Sequence, residues 1–281
     1  MLNNNLTSLR RTFSAFILIP LFILISNSSS AAIKSYKKEA DGITCILDKG
    51  LMKIKICQAD IVEVKYTIFN AFPQFESLVV NNKWVNKPDF KVTSDNKFIT
   101  VITQKLKLII DRTTNSITYF DSNGRLLTSE DKKINKNMLA ETIAGIDTYN
   151  CSTQFNSPSD EALYGLGCHP EDTLSINYKG RNQEMLIKYM TGAIPVLLST
   201  KGYGLMWDNY SASNFYGAEA GNTKYKYVSE SGRQVDYYFF YGPSFDHIID
   251  LYRTATGKAP MFGKWAFGLF QSQDQIGRAH V

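Results

Sequence analysis

From Ile43 onward the chain alternates apolar and polar residues over short runs, the period of strands with one buried face. Ile43 to Leu47 and Met52 to Ile56 flank Asp48-Lys49-Gly50 and predict a hairpin. Ile61 to Phe69, Phe98 to Thr103, Leu106 to Asp111 and Ile117 to Phe120 continue the pattern, and Asp121-Ser122-Asn123-Gly124 closes it with a turn. A second set comprises Ile194 to Ser199, Tyr203 to Asp208, Lys224 to Val228 and Gln234 to Tyr241. Many short strands separated by Gly, Asn and Asp turns predict a mainly β fold of sandwich type.

The pattern changes after Gly242-Pro243. Ser244 is placed to cap a helix whose apolar residues Phe245, Ile248, Ile249 and Tyr252 recur at helical spacing, with Asp246 in the first turn, Arg253 in the last and Gly257 as the stop. Lys258-Ala259-Pro260 reads as an extended linker, since the residue before proline is pushed out of the helical region. The apolar run Trp265 to Phe270 then has the character of a strand buried on both faces, so a new domain is expected to start there.

The opening residues differ from everything that follows. Arg10 and Arg11 precede the apolar stretch Phe13 to Ile25, and Ser28 to Ala32 supply small residues for a cut after Ala31, so residues 1–31 are expected to be a cleaved export signal. Pro20 interrupts the stretch, which falls short of the roughly 20 residues that span a bilayer. Removing the two arginines lowers the formal net charge from +5 to +3, too little to suggest nucleic acid or an acidic membrane as a partner. A periplasmic or secreted location is expected.

Cys45, Cys57, Cys151 and Cys168 show no metal-ligand spacing. Cys45 shares a strand face with Ile43 and Leu47 whereas Cys57 shares one with Lys53 and Lys55, so those two are expected to point apart and not to pair. Tyr203, Trp207, Tyr210, Phe215 and Tyr216 offer flat stacking surface to a ligand, but aromatics at strand spacing belong first to a core. His169 beside Cys168 and His247 beside Asp246 lack a visible third orienting group and read as structural histidines.

Three stretches in order resemble the N-terminal region of glycoside hydrolase family 31. They are Asp160-Glu161-Ala162-Leu163-Tyr164-Gly165-Leu166-Gly167; Ile194 to Ser199 with Lys201 to Asp208; and Asp236 to Phe239 running through Gly242-Pro243, Tyr252-Arg253 and Thr256-Gly257 to Lys264-Trp265-Ala266-Phe267-Gly268-Leu269. The wording Asn177-Tyr178-Lys179-Gly180-Arg181-Asn182 is most similar to the α-glucosidase and α-xylosidase branch. The resemblance implies a galactose-mutarotase-like β-sandwich over residues 33–243, a connecting helix and linker over 244–260, and the first strand of an incomplete (β/α)8 barrel over 261–275. Residues 276–281 read as the translation of one frame of a sequencing-library adapter.

By the same resemblance the parent enzyme hydrolyses terminal α-glucosidic or α-xylosidic bonds of oligosaccharides with retention, using two carboxylates roughly 5–5.5 Å apart. Those groups sit at the C-terminal ends of barrel strands, so the chain is expected to lack them and to be inactive alone. The implied partners are an oligosaccharide and the barrel domain; no metal or organic cofactor is implied. Substrate contacts are expected from Asn177, Lys179 and Arg181 on the loop after the glycine turn, and from Gln271 and Ser272 at the barrel mouth. Lys179 stands where many members carry an acid. Two rival readings are a carbohydrate-binding sandwich without chemistry and a structural domain without a ligand.

Overall fold

The computed structural model describes residues 31–86, 88–169, 175–188 and 191–269. The first strands are β1 (Ile33–Lys38), β2 (Gly42–Leu47), β3 (Leu51–Gln58) and β4 (Ile61–Thr67). Five shorter ones follow: β5 (Lys91–Ser94), β6 (Phe98–Ile102), β7 (Leu106–Asp111), β8 (Ile117–Asp121) and β9 (Leu126–Ser129). Next come β10 (Lys136–Ile143), β11 (Ile146–Asn156), β12 (Leu163–Cys168), β13 (Asn182–Met185) and β14 (Gly192–Ser199). The last are β15 (Tyr203–Trp207), β16 (Ser213–Glu219), β17 (Lys224–Gly232) and β18 (Val235–Tyr241), before the helix α1 (Phe245–Thr256).

The strands form two layers. One is an eight-stranded sheet in the order β1-β2-β3-β4-β18-β15-β14-β12. The other joins two five-stranded sheets, β5-β6-β7-β8-β9 and β10-β11-β17-β16-β13, through a single bridge between Glu130 and Phe155. All pairings among named strands are antiparallel, so each strand alternates between the inter-layer core and the outer surface. The core draws Ile54, Val64 and Phe239 from the first layer and Leu108, Tyr119, Phe155 and Tyr225 from the second. Phe239 stacks between Tyr119 (4.1 Å) and Tyr203 (5.5 Å). Buried phenols need partners: Tyr119 and Tyr237 share a hydrogen bond of 2.8 Å, and Tyr237 donates to Glu130 at 2.7 Å.

Glu130 is itself paired with Lys136, and both side chains are fully buried. Lys136 Nζ also donates to the Asn115 carbonyl at 3.1 Å, and Glu130 accepts from the Ile117 N–H at 2.8 Å. Burial pulls the Lys136 ammonium below its ordinary range, and the Glu130 charge opposes that pull.

The outer face of the eight-stranded sheet carries α1. Ser244 caps it by accepting from the His247 N–H, and Gly257, at φ 99°, ends it by donating to the Arg253 carbonyl. The buried side is Ile248, Leu251 and Ala255, packed on Cys57, Ile61, Met206 and Phe240. Ile249, expected on that side, is 42% exposed. It stands one residue past Ile248, about 100° around the axis. Gly204 permits the close approach, because a Cβ there would lie 2.6 Å from Ile248.

Two expectations change. Trp265 to Phe270 was expected as a strand, but Lys264–Phe267 forms a single 3-10 turn with Trp265, Phe267 and Leu269 exposed. A strand requires neighbours for its backbone N–H and C=O groups, and none of the described residues pairs with this segment. The strands also outnumber those expected: β1, β5, β9, β10, β11, β13 and β16 are additional. The expected separation of Cys45 and Cys57 is observed, with Cys45 in the inter-layer core and Cys57 under α1. All four cysteines are free thiols.

Candidate functional site

The loop carrying three of the expected contacts begins at a kink. Gly165, Leu166 and Gly167 all have positive φ (105°, 65° and 104°), and the β12–β14 register shifts between Gly165 and Gly167. A Cβ on Gly167 would lie 1.8 Å from the Gly192 carbonyl oxygen, so only glycine permits this bulge. Beyond it His169 donates through Nε2 to the Leu166 carbonyl (2.9 Å) and accepts at Nδ1 from the Gln183 amide (3.2 Å), which uses both ring nitrogens structurally. Cys168 is exposed beside it.

The chain returns along the start of β12. Asn177 Oδ1 accepts from the N–H groups of Leu163 and Lys179, each at 3.0 Å, and the Tyr178 N–H donates to the Leu163 carbonyl at 2.7 Å. The side-chain carbonyl of Asn177 is therefore spent on the loop, and its amide nitrogen is the group left to meet a ligand. Arg181 donates to the Ser175 carbonyl at 2.7 Å and lies 5.3 Å over the ring of buried Tyr178. Reciprocal bonds between Gly217 and the backbone of Gly180 and Arg181, both 2.8 Å, fasten the loop to β16.

Lys179 turns inward. Its Nζ donates to Ser157 Oγ at 3.0 Å and to the Pro158 carbonyl. Ser157 in turn donates to Glu161 at 2.6 Å, and Glu161, only 3% exposed, also accepts from Ser199 and from Tyr203 at 2.6 Å. Burial draws the Lys179 pKa below its ordinary value, while Glu161 and Asp160 oppose the shift. Asp160, exposed, is held low by the hydrogen bond from Lys201.

The structure thus brings Asn177, Lys179 and Arg181 together in one loop whose shape depends on their polar heads. Gln271 and Ser272 lie outside the described residues. Of the aromatic candidates, Tyr203, Trp207 and Phe215 are core, while Tyr210 is 49% exposed at the opposite end of the sandwich. Glu161 was legible only as part of a motif; its role as the hub of a hydroxyl network follows from Ser157, Ser199 and Tyr203 converging on it across 4, 38 and 42 residues of sequence. Among the described residues no group of three or more His, Cys, Asp or Glu is arranged to hold a metal ion.

Comparison with known proteins places this architecture. The chain is 35% identical over 137 residues to an α-xylosidase of Saccharolobus solfataricus, a stretch covering 46% of this chain and 18% of that protein. It is 25% identical over 240 residues to α-glucosidase 2 of Bacillus thermoamyloliquefaciens, covering 80% of this chain and 29% of the relative. The chain therefore spans less than a third of either protein. The fold matches the crystal structure of a family 31 α-xylosidase from Xanthomonas citri with a TM-score of 0.76 at 18% identity, covering 83% of this chain and 41% of that one. The family model described as the glycosyl hydrolase 31 N-terminal galactose mutarotase-like domain matches residues 51–215, more than half of the chain, and the chain belongs to that family.

Proposed function

We propose that this sandwich is the substrate-facing, non-catalytic part of a retaining α-glycosidase that removes terminal α-linked glucose or xylose from oligosaccharides. The observation that carries the reading is the family match over residues 51–215, which places the chain among the N-terminal domains of glycoside hydrolases. In this reading the nucleophile and the acid of the retaining mechanism come from a (β/α)8 barrel that follows the sandwich. Neither is assigned to a carboxylate of this chain. Glu161 supports that division, because hydroxyls surround it and it is sealed from solvent.

The loop over residues 175–181 serves as one wall of the sugar site. Asn177 offers its amide nitrogen to a sugar hydroxyl, Lys179 fixes the loop against Ser157 and Pro158, and Arg181 braces Tyr178. Gln271 and Ser272 contribute contacts from the barrel side. Residues 1–31 act as a cleaved export signal, so the exported protein should begin at Ala32, which mass spectrometry of the periplasmic or secreted fraction would read directly.

The test of the central reading is an assay of the purified 281-residue chain on nitrophenyl α-glucoside and nitrophenyl α-xyloside. No turnover is expected on either. Hydrolysis that survives rigorous purification and follows the protein through chromatography would overturn the assignment of catalysis to the barrel.

A further inference from the structure

The end of the sandwich remote from the 175–181 loop carries a groove lined by aromatic rings and polar side chains. In sheet register Tyr149 faces Gly232 at this end, whereas Asn156 faces Lys224 at the other, and Gly217 there meets Arg181. The rise per strand residue puts the two ends roughly 20 Å apart. Here a groove of about 620 Å³ is bounded by Phe69, Tyr149, Thr148, Ser231 and Arg233. The rings of Phe69 and Tyr149 meet edge to face at 5.3 Å, and the Arg233 guanidinium lies 5.2 Å over the Phe69 ring. Thr148 and Ser231 share a hydroxyl hydrogen bond of 2.6 Å, which leaves further hydrogen-bonding capacity on the pair. The N–H fork of Arg233 has no hydrogen-bond partner among the described residues.

An adjoining cleft of about 350 Å³ shares Ser231, Gly232 and Arg233 and adds Asp208 and Gln234. Those two side chains are 8% and 5% exposed; Asp208 Oδ1 and Gln234 Oε1 are sealed from solvent without a hydrogen-bond partner among the described residues, and Tyr210 and Ser77 stand against the Asp208 carboxylate. Gln234 has already given its amide nitrogen to Asp236, at 2.9 Å. Buried acceptors without donors are uncommon. A ligand for this groove brings acceptors to Arg233, hydroxyl partners to the Thr148–Ser231 pair and an apolar face to the rings. An inorganic anion would suit Arg233 alone and be opposed by Asp147 and Asp208, which line the same clefts.

We propose that the groove is a second oligosaccharide-binding site on the sandwich. One pyranose ring packs its C–H face on Phe69 and Tyr149 with hydroxyls at Arg233 and the Thr148–Ser231 pair, and the next residue of the sugar chain extends into the adjoining cleft past Gly232. Hydroxyl groups both donate and accept, which is what the Arg233 donors beside the Thr148–Ser231 hydroxyls require. The site is independent of the loop reading above and of any barrel.

The test is a titration of the ¹⁵N-labelled chain with maltotriose, isomaltotriose and a xylosylated gluco-oligosaccharide, followed by amide shifts. Saturable shifts are expected at Phe69, Tyr149, Gly232, Arg233 and Gln234 with at least one sugar. Arg233→Met, which keeps the stem over the ring but removes the donors, should weaken binding at least tenfold. Phe69→Leu should do the same, and an unchanged spectrum elsewhere would show that each variant folds. No shifts at these amides at tens of millimolar sugar would overturn the proposal, as would shifts that both variants leave intact. Shifts confined to residues 175–181 would overturn it too, while supporting the loop contact proposed above.

Discussion

Replacing Lys136 by methionine removes the ammonium from the interior and leaves Glu130 behind. Both side chains are wholly shielded from solvent, so water cannot enter to solvate the remaining carboxylate. Removing one partner of a buried ion pair costs about 3–5 kcal/mol. Glu130 keeps the Tyr237 hydroxyl and the Ile117 N–H as donors, which places the expected loss at the lower end, about 3 kcal/mol. At roughly 2–4 °C per kcal/mol for a chain of this size, the melting temperature should fall by about 6–12 °C. The assay is urea unfolding at neutral pH followed by tryptophan fluorescence, with the slope m checked for constancy so that a shifted midpoint reports stability. The double variant Lys136→Met with Glu130→Gln should recover part of the loss, because no net charge is then left buried. A loss below about 1 kcal/mol, the range of exposed pairs, would refute the reasoning that this pair is locked by burial.

Three further outcomes are expected. Burial, and after it the negative charge of Glu63, hold Asp236 well above the ordinary carboxylate range. The folded state therefore keeps a proton that the unfolded chain releases near pH 3.9, so this group's favourable contribution is complete below about pH 3.9 and declines as pH rises. Asp236→Asn should flatten that decline in urea midpoints measured from about pH 4 to about pH 7, and parallel curves would contradict it. Gly167→Ala places a Cβ 1.8 Å from a backbone oxygen at φ 104° and should cost about 2 kcal/mol or more; a thermal melt within about 0.5 kcal/mol of the parent would show that the bulge relaxes. Finally, burial pushes the Cys45 and Cys151 thiols up to about 12 and Cys57 well above its usual value, whereas Cys168 is exposed. Ellman's reagent should titrate one thiol promptly in the native chain and four in urea, and prompt reaction of two or more native thiols would mean that the core opens.

The legible elements were those whose side chains alternate cleanly. Leu106–Asp111 matches its expected strand to the residue because Leu106, Leu108 and Ile110 are fully buried while Lys107 is exposed between them. β11 escaped notice because Asn150, Ser152, Thr153 and Gln154 give it a loop's composition, yet its inward positions Cys151 and Phe155 are fully buried. β1 is mostly exposed lysine and serine and is a strand through its pairing with β2. Helix capping was readable at Ser244 and Gly257 because caps are local, whereas the helix's buried side depended on where Cys57 and Met206 lie beneath it. The candidate loop was legible as Asn177, Lys179 and Arg181, but not the way each polar head is turned. Lys179 faces Ser157 because Glu161, Ser199 and Tyr203 gather there, and no local pattern encodes that convergence.

The order of the eight-stranded sheet sets a timetable for folding. β4 is flanked by β3, its immediate predecessor, and by β18, and the Glu63–Tyr238 hydrogen bond between β4 and β18 spans 175 residues. During synthesis β1 to β4 form a meander whose last strand, rich in valine and isoleucine, shows an unpaired edge until β18 leaves the ribosome. The sheet thus closes only when nearly the whole sandwich has been made, and closure over so long a loop is slow. Its nascent chain must be shielded from self-association throughout that interval, which makes β18 the strand whose arrival ends the period of greatest risk.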